Sequence, residues 1–520
     1  MHAFRCLLLL IGTLLMVISC ETHDLPVVAT VDFGSRIRDW DGFGVNYVEV
    51  RHTRDYYEWP QDYGGFSYLS DTKKREIIEL VFGADGLQPD LAKMFQCAYH
   101  EQTQDNDDPY DLNMAGFDHE SYTRNMRWFI REGLSKTRSL GGDLTILAGL
   151  YAGPGWAIKQ GDWGRDLNPA MKEELAEYMI SWAKYLRETE QFPVQYISLH
   201  NEEERSYFYR DDGYAVWHDD HSLDQRRDRA LWWPKEQIVD FLTFMPHMIR
   251  HHGLTDVGLT NGETQWWTYL MHEETIGSIA TAIVSSPEAL EGLGLITSHG
   301  FRKKGDTDLS PEGIDLIRGK RPELHAWTTS CNWGMDNTSN VNFILGFERQ
   351  IYLAGVNGII PWATLFCRAE SDRTTWGKSF RSGNTNTPFH VYPDGTYEIR
   401  KSYYYYKQLT RAGRGGMSVA KVATDDEDLQ LIAWSRNDMA GVDSGHPDAF
   451  ILVNKADTLR QLAVQVDGAT SDRFKAWVTT ESGSVGEMNF AKDNAQYRVN
   501  GGKMVYNAPA KSVTTFIGIQ

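Results

Sequence analysis

Cysteine is scarce in this chain. Of five cysteines in 520 residues, Cys6 and Cys20 lie within the first twenty, which leaves Cys97, Cys331 and Cys367 for the rest. Three thiols are too few for a disulfide framework. We therefore expect buried free thiols, and a bridge between Cys331 and Cys367 is the alternative if their strands are adjacent.

Positive charge is also in short supply. The chain has 52 Lys and Arg against 71 Asp and Glu, a formal net charge of -19. Phosphate backbones and anionic lipid surfaces repel so acidic a protein, which argues against nucleic acid or lipid as the principal partner. Aromatic residues, by contrast, make up 12% of the chain, with 17 Trp and 25 Tyr. Sugar-handling clefts and large cores both use such flat rings.

Long hydrophobic runs are absent after the N-terminus. There, Arg5 precedes an apolar run over residues 7–18, too short for a comfortable membrane span. The run closes on Val17-Ile18-Ser19-Cys20, which resembles a bacterial lipobox; an ordinary secretory signal is the alternative. We predict that residues 1–19 are a signal peptide and that Cys20 carries lipid, which anchors the protein without spanning the membrane. The expected location is the outer membrane, the cell surface or the periplasm.

Apolar runs of strand length alternate with longer helical stretches between residues 40 and 405. Residues 171–188 show the helical pattern, with apolar side chains recurring every three or four positions. Eight such units predict an α/β fold, a (β/α)8 TIM barrel, whose strand ends gather polar and aromatic residues at one face. The predicted strands are residues 42–48, 91–96, 144–150, 194–199, 257–260, 295–298, 324–328 and 358–362.

The pattern changes after about residue 406. Short, partly alternating apolar runs are separated there by turns rich in Asp, Gly and Asn, which predicts a C-terminal antiparallel β-sandwich over residues 406–520. The predicted strands are residues 419–423, 429–434, 450–454, 462–466, 474–479 and 513–518.

The most informative stretch lies at the end of the fourth predicted barrel strand. Residues 194–199 break abruptly into Asn201 and Glu202. A carboxyl delivered to the mouth of a barrel, with an amide beside it, suits proton donation to the leaving oxygen of a sugar. The alternative is a solvated acidic turn.

Several motifs together resemble glycoside hydrolase family 30, whose members are retaining barrel glycosidases. The motifs are Asp41-Gly42-Phe43-Gly44, Gly-Pro-Gly-Trp-Ala-Ile-Lys within residues 147–159, residues 197–203 ending in Asn-Glu-Glu, Asn261-Gly262-Glu263 with Trp266, and residues 508–516. The resemblance runs from about residue 31 to the C-terminus. It implies that residues 20–39 join the sandwich, and that Glu202 is the general acid/base of a glycosidase.

One departure from the family pattern concerns the second carboxyl. A retaining glycosidase needs a nucleophile about 5–5.5 Å from its acid/base. The family carries it as a Glu at the end of strand seven, where this chain has Ser330, or Thr329 if the register slips.

Four explanations of this departure remain open. Glu263 could serve as the base of an inverting enzyme, with Asp336 and Glu370 as further candidates. Glu263 could instead be a displaced nucleophile, or Cys331 could act as a thiolate, which would need a depressed pKa. Finally, the cleft could bind glycan without cleaving it, because a fold does not guarantee chemistry.

The remaining site predictions concern substrate binding. Asn201 and His299 could hydrogen-bond a sugar, although His299 is nearly as well explained as a core residue. Four tryptophans could form the floor of a sugar subsite, namely Trp156, Trp266, Trp333 and Trp362. No cofactor is expected, and His100 with Glu101 lacks a recognisable metal-ligand spacing. The acidic run at residues 105–111 is most simply a solvated loop, with a calcium site as the alternative.

These observations predict an exported glycoside hydrolase that cleaves a β-linked polysaccharide or oligosaccharide. Glu202 would be the general acid/base, with an atypical second carboxylate, foremost Glu263. The alternative is a non-catalytic, glycan-binding surface lipoprotein on the same fold.

Overall fold

A closed barrel of eight parallel strands forms the larger part of the molecule. The computed structural model describes residues 25–50, 62–159, 166–202, 231–271, 278–301, 309–331, 333, 340–368 and 386–519. The signal segment with Cys20, and the candidate carboxyls Asp336 and Glu370, lie outside these ranges.

The barrel confirms the predicted fold class. After a first strand, β1 (Val27–Trp40), which lies in the other sheet, the barrel strands follow in chain order. They are β2 (Gly42–Asn46), β3 (Leu91–Gln96), β4 (Thr145–Leu150), β5 (Val194–Ser198), β6 (Gly258–Thr260), β7 (Leu293–Ser298), β8 (Ala326–Cys331) and β9 (Gly358–Pro361). Their residues are almost all buried, because a parallel barrel strand is covered on both faces.

Helices surround the barrel. In the third of them, Leu175, Met179, Trp182 and Leu186 are all buried, as the periodic pattern predicts. The helices are α1 (Asp71–Phe82), α2 (Arg124–Ser139), α3 (Lys172–Glu188), α4 (Lys235–His251), α5 (Ile279–Ser285), α6 (Pro287–Gly292), α7 (Glu312–Arg318), α8 (Phe343–Arg349) and α9 (Lys401–Ala412). Among the described residues, no helix combines the length and the apolar character needed to cross a bilayer.

A nine-stranded, mostly antiparallel sheet forms the β-sandwich. Besides β1, its strands are β13 (Met417–Ala423), β14 (Leu429–Ser435), β15 (Ala449–Asn454), β16 (Arg460–Asp467), β17 (Arg473–Thr480), β18 (Ala491–Arg498), β19 (Lys503–Ala508) and β20 (Ser512–Gly518). Their order in the sheet is β18-β17-β20-β15-β14-β13-β1-β16-β19, and β1 pairs in parallel with β16. The sheet closes on its own core: Phe33 of β1 stacks on Phe474 at 6.3 Å, although their strands are far apart in that order.

Two parts of the fold were not predicted. Strand β18 was missed because it is a polar edge strand with little apolar alternation, and β19 at the opposite edge was missed as well. A small sheet beside the barrel, of β10 (Leu365–Cys367), β11 (Phe389–Val391) and β12 (Tyr397–Ile399), was also missed.

Helix α9 connects the two bodies across the predicted boundary at residue 406. The Tyr406 hydroxyl donates to the carbonyl of Gly44 in the barrel at 2.6 Å, and Gln408 Nε2 donates to Thr479 Oγ1 in the sheet at 2.8 Å.

The three cysteines of the described chain, Cys97, Cys331 and Cys367, are buried and free. The expectation of free thiols is confirmed, and the alternative of a Cys331–Cys367 bridge is wrong.

Candidate active site at the barrel mouth

Glu202 follows strand β5 in a strained backbone conformation. Its φ of 51° lies in the left-handed region, which is uncommon for a residue other than glycine and often marks functional sites. Its N–H donates to the carbonyl of Glu263 at 3.1 Å, and the N–H of Glu263 donates to the carbonyl of His200 at 3.1 Å. These bonds tie the end of β5 to the segment that follows β6. The Glu202 side chain is 19% exposed, so a ligand can reach it.

Two polar side chains contact the Glu202 carboxyl and its neighbour Asn201. Gln265 Nε2 donates to Glu202 Oε2 at 3.3 Å. His299 Nε2 lies 3.6 Å from Glu202 Oε1 and 3.1 Å from Asn201 Oδ1. The predicted residues Asn201, Glu202 and His299 are therefore neighbours at one end of the barrel.

Glu263 lies deeper, with its side chain only 1% exposed. Its Oε2 forms an ion pair with Lys93 Nζ and lies 3.4 Å from His299 Nδ1. Lys93 is buried in β3, and burial lowers the pKa of its ammonium group, whereas the charge of Glu263 opposes that effect. The ion pair therefore supplies the counter-charge that each buried group needs.

His299 sets a limit on the separation of the two carboxyls. One of its ring nitrogens lies 3.6 Å from Glu202 and the other 3.4 Å from Glu263. Because the two nitrogens of an imidazole are little more than 2 Å apart, these carboxylate oxygens lie within about 9 Å of each other. This upper limit lies within the range of roughly 6.5–9.5 Å that separates the two carboxyls of inverting glycosidases. Shorter separations are also compatible with it.

The seventh barrel strand, β8, has no carboxyl at the position where the family pattern places the nucleophile. Strand β8 extends to Cys331, three residues beyond the predicted end, so Ser330 lies within the strand. Ser330 is buried, and its Oγ lies 3.2 Å from Lys93 Nζ. Lys93 therefore contacts both Ser330 and the carboxylate of Glu263 from the segment after β6.

Cys331 does not have the properties of a thiolate nucleophile. Burial raises the pKa of its thiol to about 12, so the group is protonated at neutral pH. The hypothesis of a Cys331 nucleophile required a depressed pKa, and the structure contradicts it.

Gly262 is required by the close approach of His200. Its φ of 83° is left-handed, and a Cβ atom at this position would lie 1.9 Å from His200 Nε2. Only glycine fits, and the tight turn orients the next residue, Glu263, toward Lys93.

The four predicted tryptophans do not form one subsite. Trp266 packs 6.4 Å from Phe301, whose ring lies 5.2 Å from His299, so it is close to the carboxyl pair. Trp333 was predicted to line a sugar subsite, but it is a core residue. It is 2% exposed, and its Nε1 donates to the carbonyl of Ala363 at 2.9 Å.

Trp156 and Trp362 are partly buried on other sides of the barrel mouth. Trp156 Nε1 donates to the carbonyl of Glu101 at 3.3 Å. Trp362 packs 5.5 Å from Phe95, and the ring of Phe95 lies 4.3 Å below Lys93 Nζ. Both tryptophans keep some exposed surface, unlike Trp333.

Sequence reasoning missed Lys93 and Gln265. The signal for Lys93 was available, because a lysine in the middle of the buried strand Leu-Ala-Lys-Met-Phe-Gln needs a buried counter-charge. Gln265 offered no comparable signal: its role appears only when the segment after β6 is folded against Glu202.

Solved structures of other proteins support the fold, whereas sequence comparisons find no relative. No family model matches the sequence, and no curated protein is similar enough to count as a relative. A family 30 endoxylanase from Clostridium papyrosolvens C71 is 15% identical, with a TM-score of 0.61 over 95% of this chain and 100% of that one.

Two further solved structures are similar along most of their length. An endo-β1,6-glucanase is 13% identical, with a TM-score of 0.63 and coverage of 94% of this chain and 93% of that one. A conserved exported protein from Bacteroides fragilis is 12% identical, with a TM-score of 0.64 and coverage of 94% and 100%. The chain therefore has the barrel-and-sandwich fold of the glycoside hydrolase family 30 structures.

Proposed function

We propose that this protein is an exported glycoside hydrolase that cleaves a β-linked polysaccharide or oligosaccharide, with Glu202 as its general acid/base. The observation that carries the proposal is Glu202 itself, a partly exposed carboxyl in a strained conformation at the C-terminal end of the fourth barrel strand. Catalytic groups of TIM-barrel enzymes lie at that face.

The groups around Glu202 suit proton transfer to a leaving oxygen. Gln265 donates to one carboxyl oxygen, which holds the side chain in place and leaves the other oxygen, Oε1, on the side of His299. Asn201, in contact with His299, offers an amide that can bond a sugar hydroxyl next to the scissile bond.

Glu263 is proposed as the atypical second carboxylate. A glycosidase transition state carries positive charge on the sugar ring, and a buried carboxylate held in advance by Lys93 stabilises that charge without reorganising. The ceiling of about 9 Å between the two carboxyls permits a water molecule between them, as in inverting enzymes.

The substitution Glu202→Gln tests the proposal. With a panel of β-linked xylans and glucans, product release should fall by about 10²–10⁴-fold, because a general acid contributes that much. Glu173→Gln, an exposed site on α3, is the matched control and should keep full activity. Both variants should melt within about 1 °C of the wild type. Full activity in Glu202→Gln would overturn the assignment.

Ser330 favours a second candidate, a glycan-binding protein without hydrolytic activity. The residue brings no carboxyl to the place where family 30 enzymes carry their nucleophile. If no glycan of the panel is cut, yet one binds and Trp266→Ala weakens that binding, this second function is correct. Where products form, the anomeric configuration of the first product distinguishes inversion from retention.

Export and a lipid anchor on Cys20 belong to the same proposal. They are supported by the lipobox-like Val17-Ile18-Ser19-Cys20 and by the shared fold of the exported protein from Bacteroides fragilis. Metabolic labelling with palmitate tests the anchor, and label retained in Cys20→Ala would exclude it.

A further inference from the structure

A cluster of carboxyls lies beside the barrel, away from Glu202 and Glu263. The loop after β3 brings Asp105 against helix α3, where Glu174 and Glu177 occupy one face, three residues apart. One carboxylate oxygen from each of the three lies within 4.8 Å of the others. Glu174 is 5% and Glu177 1% exposed, so two of the three carboxyls are removed from water.

This cluster has no counter-charge within the described chain. None of the lysine, arginine or histidine side chains in that part of the structure forms an ion pair with Asp105, Glu174 or Glu177. A buried anion without a partner is strongly unfavourable, and three anions this close also repel one another.

One oxygen of the cluster receives no hydrogen bond from the described part of the chain. Glu177 Oε1 is fully buried, and no donor side chain or backbone N–H of the described residues reaches it. A buried carboxylate oxygen without a protein donor is rare in folded proteins, because desolvation costs free energy that a bound ion or water molecule must then offset. This observation is independent of the spacing of the three carboxyls, and it points to a ligand between them.

We propose that Asp105, Glu174 and Glu177 bind one divalent cation of the calcium type. The donors are all oxygens, which suit a hard cation, and neither a nitrogen nor a thiolate from the described residues joins them as zinc would prefer. Three protein carboxylates fit Ca²⁺, which accepts irregular and bidentate oxygen sets, better than Mg²⁺, which retains several waters. Water molecules would complete the six to eight oxygen ligands of Ca²⁺.

The cation would join the loop after β3 to helix α3 next to the predicted substrate cleft. In that loop, Glu101 Oε1 accepts from the Asp105 N–H at 2.7 Å, and the Glu101 carbonyl accepts from Trp156 Nε1 at 3.3 Å. The Trp156 ring also lies 6.2 Å from Tyr178 of α3. A bound cation therefore fixes the two elements that hold Trp156, whether or not the protein cleaves glycan.

Calcium titration of the full chain tests the site. After treatment with a chelator and dialysis, calorimetry should detect one Ca²⁺ per chain at this site. At a Ca²⁺ concentration about a hundredfold above Kd, the melting temperature should rise by at least about 2 °C. Mg²⁺ alone should bind at least tenfold more weakly. A melting temperature that does not respond to Ca²⁺ would overturn the proposal.

Two substitutions on one helix localise the effect. Glu177→Gln should abolish the Ca²⁺-dependent rise while leaving the metal-free protein as stable as before or more so, because it removes one of three crowded carboxyls. Glu173→Gln, exposed on the same helix, should keep the full response. If Glu177→Gln does not fold, Asp105→Asn replaces it. If the Ca²⁺-dependent rise in melting temperature persisted in the Glu177→Gln or Asp105→Asn variant, the cation would bind elsewhere and the assignment would be refuted.

Discussion

Both ends of the barrel hold carboxylates, but the partners of these carboxylates differ between the two ends. At the N-terminal end of the strands, one carboxylate serves two donors: Asp41 Oδ2 lies 2.8 Å from His325 Nδ1 and accepts from Trp327 Nε1 at 2.6 Å. Nearby, Arg414 pairs with Asp90 at 3.0 Å. Each anion there has at least one cationic or N–H partner.

At the C-terminal end, two carboxylates share one imidazole. Glu202 and Glu263 both lie against His299. Lys93 pairs with Glu263, and Gln265 donates to Glu202. Glu202 also has a left-handed backbone, a conformation that costs free energy. Backbone strain and closely spaced carboxylates are typical of a site prepared for a ligand or a transition state.

The size of a cavity is a poor guide to function in this molecule. A space of about 800 Å³ lies between the N-terminal end of the barrel and the sandwich, lined by Asp41, Asp90, His325 and Arg414. Its charged groups already pair with one another, which indicates a stabilising role. Glu202 lies at the other end, where TIM-barrel chemistry takes place.

The largest difference between the two ends should come from removing one carboxylate from each. Glu263→Gln leaves the Lys93 ammonium buried without its counter-charge, which should lower the free energy of unfolding by about 3–5 kcal/mol. Hydrolytic activity should fall at least 100-fold, because the transition state loses its electrostatic partner. Urea unfolding and product release measure the two effects.

Asp41→Asn is the matched change at the other end. It should cost only about 1–2 kcal/mol, since the Asp41 side chain is partly exposed and an amide oxygen still accepts a hydrogen bond. Activity should stay within twofold of the wild type. Equal losses of activity in the two variants would abolish the distinction between a functional and a structural end.

A pair of glycines sharpens the comparison further. Gly262 at the mouth and Gly141 near the N-terminal cavity have φ values of 83° and 85°, so alanine is equally strained at both. At Gly262 the new Cβ also meets His200, whereas at Gly141 nothing lies within 4 Å. Gly262→Ala should therefore cost about 2–4 kcal/mol and most of the activity.

Gly141→Ala provides the control. Strain alone should lower its free energy of unfolding by about 1–2 kcal/mol, without an effect on kcat/KM. Thermal melting and initial rates suffice for both variants. Similar losses at the two positions would mean that the contact with His200 does not position Glu263.

The fold was predictable because most of its signals are local. Each barrel strand is a short apolar run, and the structure reproduces residues 91–96 without a change at either end. Strand β18 was missed because its pairing depends on β17 and not on its own apolar pattern. The position of Ser330 within β8 likewise depended on the neighbouring strand β9, with which Cys331 pairs.

The candidate site was predictable only in part. Asn201, Glu202 and Glu263 follow predicted strands, so their shared face followed from barrel geometry. Lys93 and Gln265 depend on tertiary contacts, since their partners are 170 and 63 residues away in sequence. Trp333 was misassigned because a tryptophan after a strand reads the same whether it faces a ligand or, as here, the core.

The smallest expected effect concerns pH and the N-terminal end. Burial lowers the pKa of His325, but the hydrogen bond and charge of Asp41 outweigh it, so the net pKa is raised above 6.5. The Asp41–His325 pair therefore stabilises the fold fully below the unfolded pKa of about 6.5, and its contribution is lost as pH rises through the higher folded value. Because the His325 side chain is 34% exposed, solvent screening keeps the effect below about 1 kcal/mol.

The substitution His325→Asn isolates that contribution. The stability advantage of the wild type over this variant should be largest near pH 5.5 and should shrink by pH 9, as measured by urea unfolding at each pH. The pH profile of hydrolysis should be the same in both proteins, because His325 lies at the opposite end from Glu202. An advantage that grows with pH would show that Asp41 does not hold the charged form of His325. A shifted activity profile would instead show that the two ends of the barrel are coupled. Residues that stabilise the fold at one end could then not be separated from those that act in hydrolysis at the other.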